Sequence, residues 1–563
     1  MRPGRMDAQR ASHVIDWLIL VALGVAIYVA RIDALSVRGE ESRRIRISCE
    51  MLERGDWFVQ TEQGQTFTER PPLCNWLLML AIMAAGPQSI VVCRLISAAA
   101  TMLTAGLLYA HARRVTSRLG ALTAAVAFLT MGQVLQLGSL AENEAVMTLF
   151  MSGALLLWEW GYRCRWPATR TWCLGYALAA LATLTKGIQG PAYFIGSTWL
   201  MLLVERDRRF FFSRAHVAGI AVFLLVLGIW QVPYACLVGV ETAVFTWTHE
   251  VFKKTSVIGI GPFVKHALAF PFEVLVSTAP WSIWLLPLVD RRVRAAITGQ
   301  QRQTMRFLGC VAAVGVPTVW FACQGRARYL MPLFPCAATM IGIVVDRVVA
   351  SQAQTWQRRV WKLILFGAAS LTITLGLAAW ALVGLPAEAL APKIAAWIPV
   401  AKLHLAVYGG LALALAWMLW RAARSTSAEA ALRGVLASAA ILGLSYAVPI
   451  VDLLGRWSCP TAEAVEQLKA RLPEQAQLVS LDRVHHLFQY YYEQQIPRID
   501  RRAAAGCDFE YFCIDRTRNE PLELGFAWEP VATICCDRNS FRHEMYVVVG
   551  RRTDKLSVAR RPN

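Results

Sequence analysis

Residues 214–236 read RAHVAGIAVFLLVLGIWQVPYAC, and no Asp, Glu, Lys or Arg stands between Arg214 and Glu241. A helix of about 20 such residues spans the hydrocarbon core of a bilayer, which is about 30 Å thick. Similar runs recur along the chain, which is 56% apolar and only 17% charged, with a mean hydropathy of +0.43. Soluble domains are about 45–50% apolar and about 25% charged. The sequence therefore predicts a polytopic membrane protein, and it argues against a disordered chain or a cytosolic enzyme.

Thirteen apolar segments are long enough to be predicted as membrane spans. They are 14–34, 90–111, 117–132, 143–160, 171–185, 188–204, 214–236, 273–289, 305–322, 328–349, 360–384, 402–420 and 431–451. Another apolar segment, Pro71–Gly86, is short. If it does not cross, the Arg-rich loops all lie on the side of the N-terminus, as the positive-inside rule requires. We therefore predict a re-entrant or interfacial helix at Pro71–Gly86, a cytoplasmic N-terminus and an external C-terminus.

The net charge of +19 resides largely in these short loops. This pattern orients a membrane protein and argues against nucleic acid as a partner.

The predicted organisation is a membrane domain at 1–451, with external loops at 35–89 and 237–272, and a small external α/β domain at 452–563. Its predicted strands are 478–481, 509–514, 531–535 and 545–549, and its predicted helices are 462–472 and 484–493. Five cysteines lie in this domain, where an external compartment permits disulfides. The five cysteines are Cys459, Cys507, Cys513, Cys535 and Cys536. The sequence leaves their disulfide pairing open.

The first external loop contains an amphipathic pattern next to a dense set of charges. Ile45, Ser48, Cys49, Met51 and Leu52 form an apolar stripe, which predicts a helix in the plane of the membrane interface. Two acids, Glu40 and Glu41, stand at its start, where carboxylates suit the helix dipole. An ordinary solvated helix end is the alternative explanation for these acids.

The same loop resembles the first periplasmic loop of ArnT-like glycosyltransferases, which belong with the protein O-mannosyltransferases in the GT-C fold. The matching motifs are Glu40-Glu41-Ser42-Arg43, Glu50-Met51-Leu52, Gly55-Asp56-Trp57 and Glu69-Arg70-Pro71-Pro72. Further resemblances follow in the same order along the chain at Glu144–Leu149, Thr185-Lys186-Gly187, Pro280-Trp281 and Gly325–Leu333. The resemblance implies thirteen spans, an external C-terminal domain and transfer of a sugar from a polyprenyl-phosphate donor.

The resemblance also implies roles for individual residues. An acceptor hydroxyl needs a carboxylate base, and a departing lipid phosphate needs cations. The family's Asp corresponds to Glu40, our candidate base, with Glu41 as the alternative. The candidate phosphate ligands are Arg43, Arg70, Lys186, Arg328 and Tyr329, and the candidate substrate-binding residues are Glu144 and Arg326.

The chain departs from the family pattern at three of these positions. Glu40 replaces Asp and moves the carboxylate outward by one methylene. Arg70 replaces Lys and presents a planar fork in place of a point charge. Arg44 replaces Tyr. Several candidates also have a structural alternative: lipid-facing snorkelling for Arg43, a helix end for Lys186, topology determinants for Arg326 and Arg328, a helix cap for Glu144 and an interfacial anchor for Tyr329.

A divalent metal ion is the remaining cofactor hypothesis. Some relatives bind one through a Glu before the Pro-Pro pair and a His before a later Pro. Glu69 is present, and His249 and His266 are the histidines available in the 237–272 loop. The acceptor is left open among lipid, glycan and protein. We expect a monomer in a bacterial inner membrane, in contact with membrane lipids. The alternatives are a transporter or flippase for a lipid-linked sugar, or a GT-C scaffold without activity.

Overall fold

The computed structural model describes residues 3–86, 89–255, 259–350, 355–384, 402–425, 427–517, 522–537 and 544–554. The chain divides into two compact units. The first unit comprises Met1–Ala34, Thr68–Cys74 and Arg94–Leu453, and the second comprises Leu35–Phe67, Asn75–Cys93 and Leu454–Asn563. The predicted domain boundary at 451–452 lies beside the start of the last segment. The first external loop is divided between the units.

The helices of the described residues account for most of the chain. They are α1 (Pro3–Tyr28), α2 (Glu41–Arg54), α3 (Leu73–Ala85), α4 (Ile90–Ala112), α5 (Arg118–Leu129), α6 (Gly132–Leu137), α7 (Asn143–Arg163), α8 (Ala168–Lys186), α9 (Gln189–Val204), α10 (Arg208–Phe211), α11 (Arg214–Val238), α12 (Val240–Thr255), α13 (Ile260–Thr278), α14 (Arg291–Ala296), α15 (Gly299–Trp320), α16 (Phe334–Ala350), α17 (Thr355–Gly384), α18 (Lys402–Arg424), α19 (Ala428–Ser445), α20 (Val451–Trp457), α21 (Thr461–Arg471) and α22 (His486–Tyr492). Short 3₁₀ helices occupy Trp281–Val289, Ala327–Leu333 and Ala504–Gly506, and a π-helical turn occupies Tyr446–Ile450.

Seven helices in the described part of the chain are long and apolar enough to cross a membrane. They are Ile90–Ala112, Arg214–Val238, Ile260–Thr278, Ala327–Val349, Lys362–Leu382, Leu403–Arg424 and Ala428–Ile450. The predicted membrane protein is confirmed at this level. The other predicted spans also coincide with helices, namely α1, α5, α7, α8, α9 and α15. Helix α3 confirms a short apolar helix within Pro71–Gly86.

The predicted span at 273–289 is wrong in its boundaries. The apolar helix is α13, which ends at Thr278, and Trp281–Val289 is a separate 3₁₀ segment. Ala279 is extended, with φ −62° and ψ 153°, because the ring of Pro280 disfavours the helical region for the residue before it. The predicted loop 237–272 consequently contains α12 and the first part of α13. Apolar content alone could not locate this break.

Small residues allow α5 and α16 of the first unit to pack closely. A Cβ atom added at Gly342 would lie 2.4 Å from the carbonyl oxygen of Gly120 and 2.9 Å from the Cβ of Ala124. Such distances require the two backbones to be nearly in contact. This is the close approach that small residues permit between membrane helices.

A buried carboxylate on α7 links this helix to α4 and α15 within the first unit. Glu159 of α7 is bonded to His111 of α4 at 2.9 Å and accepts from Thr304 of α15 at 3.0 Å. Arg114 approaches the same carboxylate at 3.3 Å. Buried charges are stable only when they are paired and hydrogen-bonded. The sequence reading did not single out Glu159, because its partners are distant in sequence.

The second unit contains a five-stranded sheet of the predicted α/β type. Its strands, in the spatial order β4-β3-β5-β7-β6, are β3 (Leu478–Leu481), β4 (Arg498–Ile499), β5 (Tyr511–Thr517), β6 (Trp528–Asp537) and β7 (Met545–Arg552). Strand β3 is parallel to β4 and β5, and β7 is antiparallel to β5 and β6. The four predicted strands and two predicted helices are confirmed within a few residues. The two-residue strand β4 was not predicted.

The first-loop part of the second unit consists of α2, α3 and a small hairpin of β1 (Thr61–Glu62) and β2 (Gln65–Thr66). Ten of the fourteen residues of α2 are buried, including Arg44, Ser48 and Glu50. The helix is therefore more enclosed than the predicted interfacial helix, which would keep one face in water. Ile47 and Met51 pack with Phe67 and with Met79 of α3.

The contact between α5 and α16 predicts opposite effects for two glycine substitutions in apolar helices. Gly342→Ala overpacks this contact and should destabilise the protein by about 1–3 kcal/mol. Gly367→Ala in α17 is the control, because a Cβ atom there meets nothing within 4 Å and alanine favours a helix. Thermal unfolding in detergent should show a lower midpoint for Gly342→Ala alone. Equal midpoints for the two variants would contradict the close packing.

Candidate active site

The two candidate bases differ in their access to a ligand. Glu40 stands at the N-terminal end of α2, and 34% of its side chain is exposed. Its Oε2 accepts from Arg43 Nη1 at 2.8 Å. Glu41 is fully buried, and its carboxylate accepts from the backbone amide of Arg38 at 3.1 Å. A general base must reach the proton that it removes, so the geometry favours Glu40.

Arg43 is held between two carboxylates of the second unit. Besides its contact with Glu40, its Nε donates to Glu62 at 3.2 Å. Glu62 is also paired with Arg483, at 2.5 Å. Arg43 therefore has a fixed orientation, which argues against a side chain that merely extends toward lipid. The sequence reading missed Glu62 and Arg483, because they are charged residues outside any recognised motif and far apart in sequence.

His486 is another residue of this region that the sequence reading missed. Its Nδ1 lies 2.6 Å from the Oγ of Ser42, within the Glu40–Arg43 motif. Burial, together with the charges of His485, Arg43, Arg483 and Arg44, holds the pKa of His486 well below its usual value. The imidazole is therefore neutral. Its bond to Ser42 fixes the start of α2 against α22 of the same unit.

The Gly-Asp-Trp motif of the first loop has a structural role. Gly55 adopts the left-handed conformation, φ 67°, that ends α2, and its amide donates to the carbonyl of Leu52 at 3.1 Å. Asp56 Oδ1 accepts from the amides of Phe58 and Val59 at 2.8 and 3.0 Å. The Gly-Asp-Trp motif therefore ends the helix and shapes the following turn.

Glu50 in the Glu-Met-Leu motif orders the neighbouring hairpin. Its carboxylate accepts from the Thr61 hydroxyl at 2.8 Å and from the amides of Gln63 and Gly64 at 2.9 and 3.2 Å. Since Glu62 lies in this hairpin, Glu50 indirectly positions the carboxylate that holds Arg43.

A second cluster of candidates lies within the first unit. Lys186 Nζ donates to Glu144 Oε1 at 2.8 Å, and both side chains are about 95% buried. Arg328 lies 3.7 Å from Glu142 and 3.8 Å from Glu144, with 28% of its side chain exposed. Lys186 Nζ also lies 4.7 Å from the ring centroid of Tyr329, in a cation–π contact.

Local backbone geometry places these cations. Lys186 is the last residue of α8, and Gly187 follows with φ +100°, a conformation that side-chain-bearing residues rarely adopt. The start of the Arg326–Tyr329 segment is equally constrained, because a Cβ atom at Gly325 would lie 2.1 Å from the carbonyl oxygen of Val319. The Thr-Lys-Gly and Gly-Arg-Ala-Arg-Tyr motifs thus contain the glycines that their backbone requires.

Arg70 belongs to the first unit and acts electrostatically on both Glu144 and Lys186. Its Nη1 donates to the carbonyl oxygen of Glu69 at 2.7 Å. Arg326 differs, since it is exposed and its carbonyl accepts from the amide of Tyr329. The structure thus brings together Glu144, Lys186, Arg328 and Tyr329, with Arg70 acting on them through its charge.

The metal hypothesis finds no matching cluster in the part of the chain that the structure describes. No group of three His, Cys, Asp or Glu side chains there could hold a metal ion. His266 Nε2 lies 3.1 Å from the carbonyl oxygen of Trp320. The side chain of His249 lies outside the described residues. A metal ion at these residues therefore stays a prediction, and no catalytic step is assigned to it.

Comparisons with known proteins show what the whole chain is similar to. A family model described as dolichyl-phosphate-mannose-protein mannosyltransferase matches residues 69–230. Two curated relatives, from Edwardsiella ictaluri and Pectobacterium atrosepticum, are named undecaprenyl phosphate-alpha-4-amino-4-deoxy-L-arabinose arabinosyl transferase. The first is 25% identical over 67% of this chain and 68% of its own length, and the second is 26% identical over 58% of each.

The fold has a solved counterpart. ArnT from Cupriavidus metallidurans bound to undecaprenyl phosphate superposes with a TM-score of 0.71 at 19% identity, covering 94% of this chain and 97% of that one. The same protein in the apo state gives a TM-score of 0.66. The fold is thus that of the GT-C membrane glycosyltransferases. With the family model and the curated relatives, this confirms the predicted resemblance to ArnT-like GT-C glycosyltransferases.

The burial of His486 predicts a pH-dependent contribution to stability. The unfolded chain binds a proton at this histidine below about pH 6.5, whereas the folded chain does not. Its contribution is therefore lost as the pH falls below 6.5, by up to about 1.4 kcal/mol per pH unit. The stability difference between wild type and His486→Gln should consequently shrink between pH 7 and 5. Thermal unfolding at a series of pH values measures it.

Asp515 has the opposite pH dependence, because burial raises the pKa of its carboxyl to about 7. This carboxyl is present in both the wild type and His486→Gln, so its contribution cancels when the two stabilities are subtracted. If the His486→Gln and wild-type curves run parallel, the neutral buried state of His486 is wrong.

Proposed function

We propose that the chain transfers a sugar from a polyprenyl-phosphate donor to an acceptor at the extracytoplasmic face of a bacterial inner membrane. The observation that carries this proposal is the cluster of Lys186 and Arg328 with Glu144 and Tyr329. A buried ammonium and a partly exposed guanidinium at helix ends suit a phosphate group in an apolar setting. The names of the curated relatives and of the ArnT structure support a polyprenyl phosphate as the ligand.

The cations would stabilise the leaving phosphate. When the bond between the anomeric carbon and the phosphate oxygen breaks, negative charge develops on the lipid phosphate. Arg328 contacts its two carboxylates only at 3.7 and 3.8 Å and is partly exposed, so its N–H groups can turn to a phosphate. Lys186 is fixed by Glu144 and contributes a preorganised charge. Fixed charges in a site that excludes water stabilise the transition state without reorganisation.

Glu40 would act as the base that accepts the proton of the acceptor. We place Glu40 in the same active site as the phosphate-binding cations because their motifs follow the family's order along the sequence. Arg43 lies beside Glu40 and is oriented by Glu62, so it could neutralise the donor or orient the carboxylate. The longer side chain of Glu40, compared with the family's Asp, shifts the reacting oxygen outward by one methylene.

The departure at Arg44 has a structural explanation. Its guanidinium lies over the ring of Phe67, 5.2 Å from the centroid, and the residue is 4% exposed. Arg44 therefore supports the loop, and we assign it no contact with the substrate. Tyr329 takes the role of the aromatic hydroxyl near the phosphate in this proposal.

We further propose thirteen membrane spans, with a cytoplasmic N-terminus and a periplasmic C-terminal domain. The Arg-rich loops support this orientation. The acceptor can be a lipid, a glycan or a protein. The chemistry requires only a nucleophilic hydroxyl or phosphate. We also propose that the protein acts as a monomer.

A transporter for a lipid-linked sugar is the competing function. Such proteins place charged or broken helices near the membrane midplane. Here the candidate charges stand at helix ends: Glu144 begins α7 and Lys186 ends α8. This arrangement favours chemistry at one membrane face over passage through the membrane. A scaffold without activity would share the fold but release no product.

The assignment of Glu40 as the base predicts different outcomes for two matched substitutions. Glu40→Gln should lower the release of free polyprenyl phosphate from a lipid-linked sugar at least about 100-fold, the lower range for a general base. Glu41→Gln, at the buried neighbouring carboxylate, should retain turnover in molecules that fold. Both are measured by mass spectrometry of the lipid products, with thermal unfolding as the folding control.

The reverse pattern identifies an error in the base assignment. If Glu40→Gln turns over normally and a folded Glu41→Gln does not, Glu41 is the base. If wild-type protein releases no polyprenyl phosphate from any lipid-linked sugar but moves the lipid across a vesicle membrane, the transporter replaces the transferase.

A further inference from the structure

Two cysteines of the second unit lie closer together than non-bonded atoms normally do. The Sγ atoms of Cys459 and Cys535 are 2.8 Å apart. Non-bonded heavy atoms rest at about 3.5–4.0 Å, and a disulfide has an S–S distance of about 2.05 Å. The two thiols are therefore within reach of a covalent bond after a small adjustment of their side chains.

The backbone around these cysteines supports the same pairing. The hydroxyl of Thr461, two residues after Cys459, donates to the carbonyl oxygen of Cys535 at 2.8 Å. Thr461 is buried and begins α21, so this contact fixes the Cys459 segment beside β6. Along β6, Ile534 and Cys536 belong to the hydrophobic core. Cys535 lies between these two residues on the strand, and its thiol meets that of Cys459.

We propose that Cys459 and Cys535 form a disulfide bond in the mature protein. This inference rests on the proposed function insofar as the second unit must face an oxidising compartment. The oxidant would be a protein or small-molecule disulfide. One S–S bond forms between Cys459 and Cys535 while the S–S bond of the oxidant breaks. Two electrons and the two thiol protons pass to the sulfurs of the oxidant, which leaves as two thiols.

The bond would join two places in the fold that the chain separates widely. Cys459 lies at the start of the last segment of the second unit, just after α20. Cys535 lies on β6, an edge strand of the sheet. An edge strand pairs with a neighbour on one side only and leaves backbone groups unpaired on the other. The disulfide would hold β6 in place and would restrict the long loop between the two cysteines in the unfolded chain.

Peptide mapping of the full-length wild-type protein tests the proposal. Free thiols are alkylated under denaturing, non-reducing conditions, and the digest is analysed before and after reduction with dithiothreitol. We expect a cross-linked peptide joining Cys459 and Cys535, and alkylation of both residues only after reduction. Cys513, on β5 of the same unit, is the control and should be alkylated without reduction. Alkylation of Cys459 and Cys535 before reduction, or a cross-link of either to another cysteine, would overturn the proposal.

Substitutions separate a covalent bond from ordinary packing. Cys459→Ser and Cys535→Ser should lower the thermal midpoint by the same amount, and the double variant should lower it no further, because either change removes the one bond. Additive shifts would instead indicate two independent packing roles. Product release measured on the same samples keeps the two proposals distinct. Turnover by a protein with both thiols free rejects the disulfide alone, and a disulfide without turnover rejects the transferase alone.

Discussion

The ion pair between Lys186 and Glu144 is the interaction on which the proposed chemistry depends. A lone charge at a buried helix end costs too much free energy to persist, whereas a paired and hydrogen-bonded charge can be retained. Because Glu144 opens α7 and Lys186 closes α8, the pair brings the ends of two consecutive helices together. Arg328 and Tyr329 gather around it. The cluster is therefore a structural contact, and we propose that it also binds the lipid phosphate.

In the second unit, too, charged side chains are held by partners of opposite charge. Arg43 is oriented by Glu40 and Glu62, Glu62 by its hairpin and Arg483, and the hairpin by Glu50. Arg43 and Glu62 are thus oriented by other residues of the same unit before any substrate is present. Such preorganisation is what a catalytic site requires, because side chains that must be ordered during the reaction add to its barrier.

Much of this architecture could be predicted from the sequence, because the signals are local. Apolar runs located most membrane helices, and alternating apolar residues located strands such as Leu478–Leu481 and Met545–Arg552. The ordered motifs identified Lys186, Arg328 and Tyr329 as members of one cluster. The break at Pro280 was missed because the flanking residues are equally apolar on both sides. Backbone restriction by proline, and not hydropathy, determines where α13 ends.

The remaining features depend on contacts between residues far apart in sequence. Nothing near Glu62 or Arg483 indicates that they share a salt bridge, and nothing near His486 indicates its bond to Ser42. Conversely, the Gly55-Asp56 motif stood out in the sequence, but its atoms form a helix end and a turn. A motif can therefore mark a backbone requirement as readily as a reactive group. Only the contacts of its side chains distinguish the two.

The affinity of the purified protein for undecaprenyl phosphate tests the central claim most directly. Native mass spectrometry can compare wild type with Arg328→Gln and with Arg424→Gln, whose guanidinium lies over Trp420 in a predicted cytoplasmic region. The account predicts at least about tenfold weaker binding for Arg328→Gln, equivalent to about 1.4 kcal/mol, and wild-type binding for Arg424→Gln. Equal affinity of a folded Arg328→Gln protein and the wild type would contradict it.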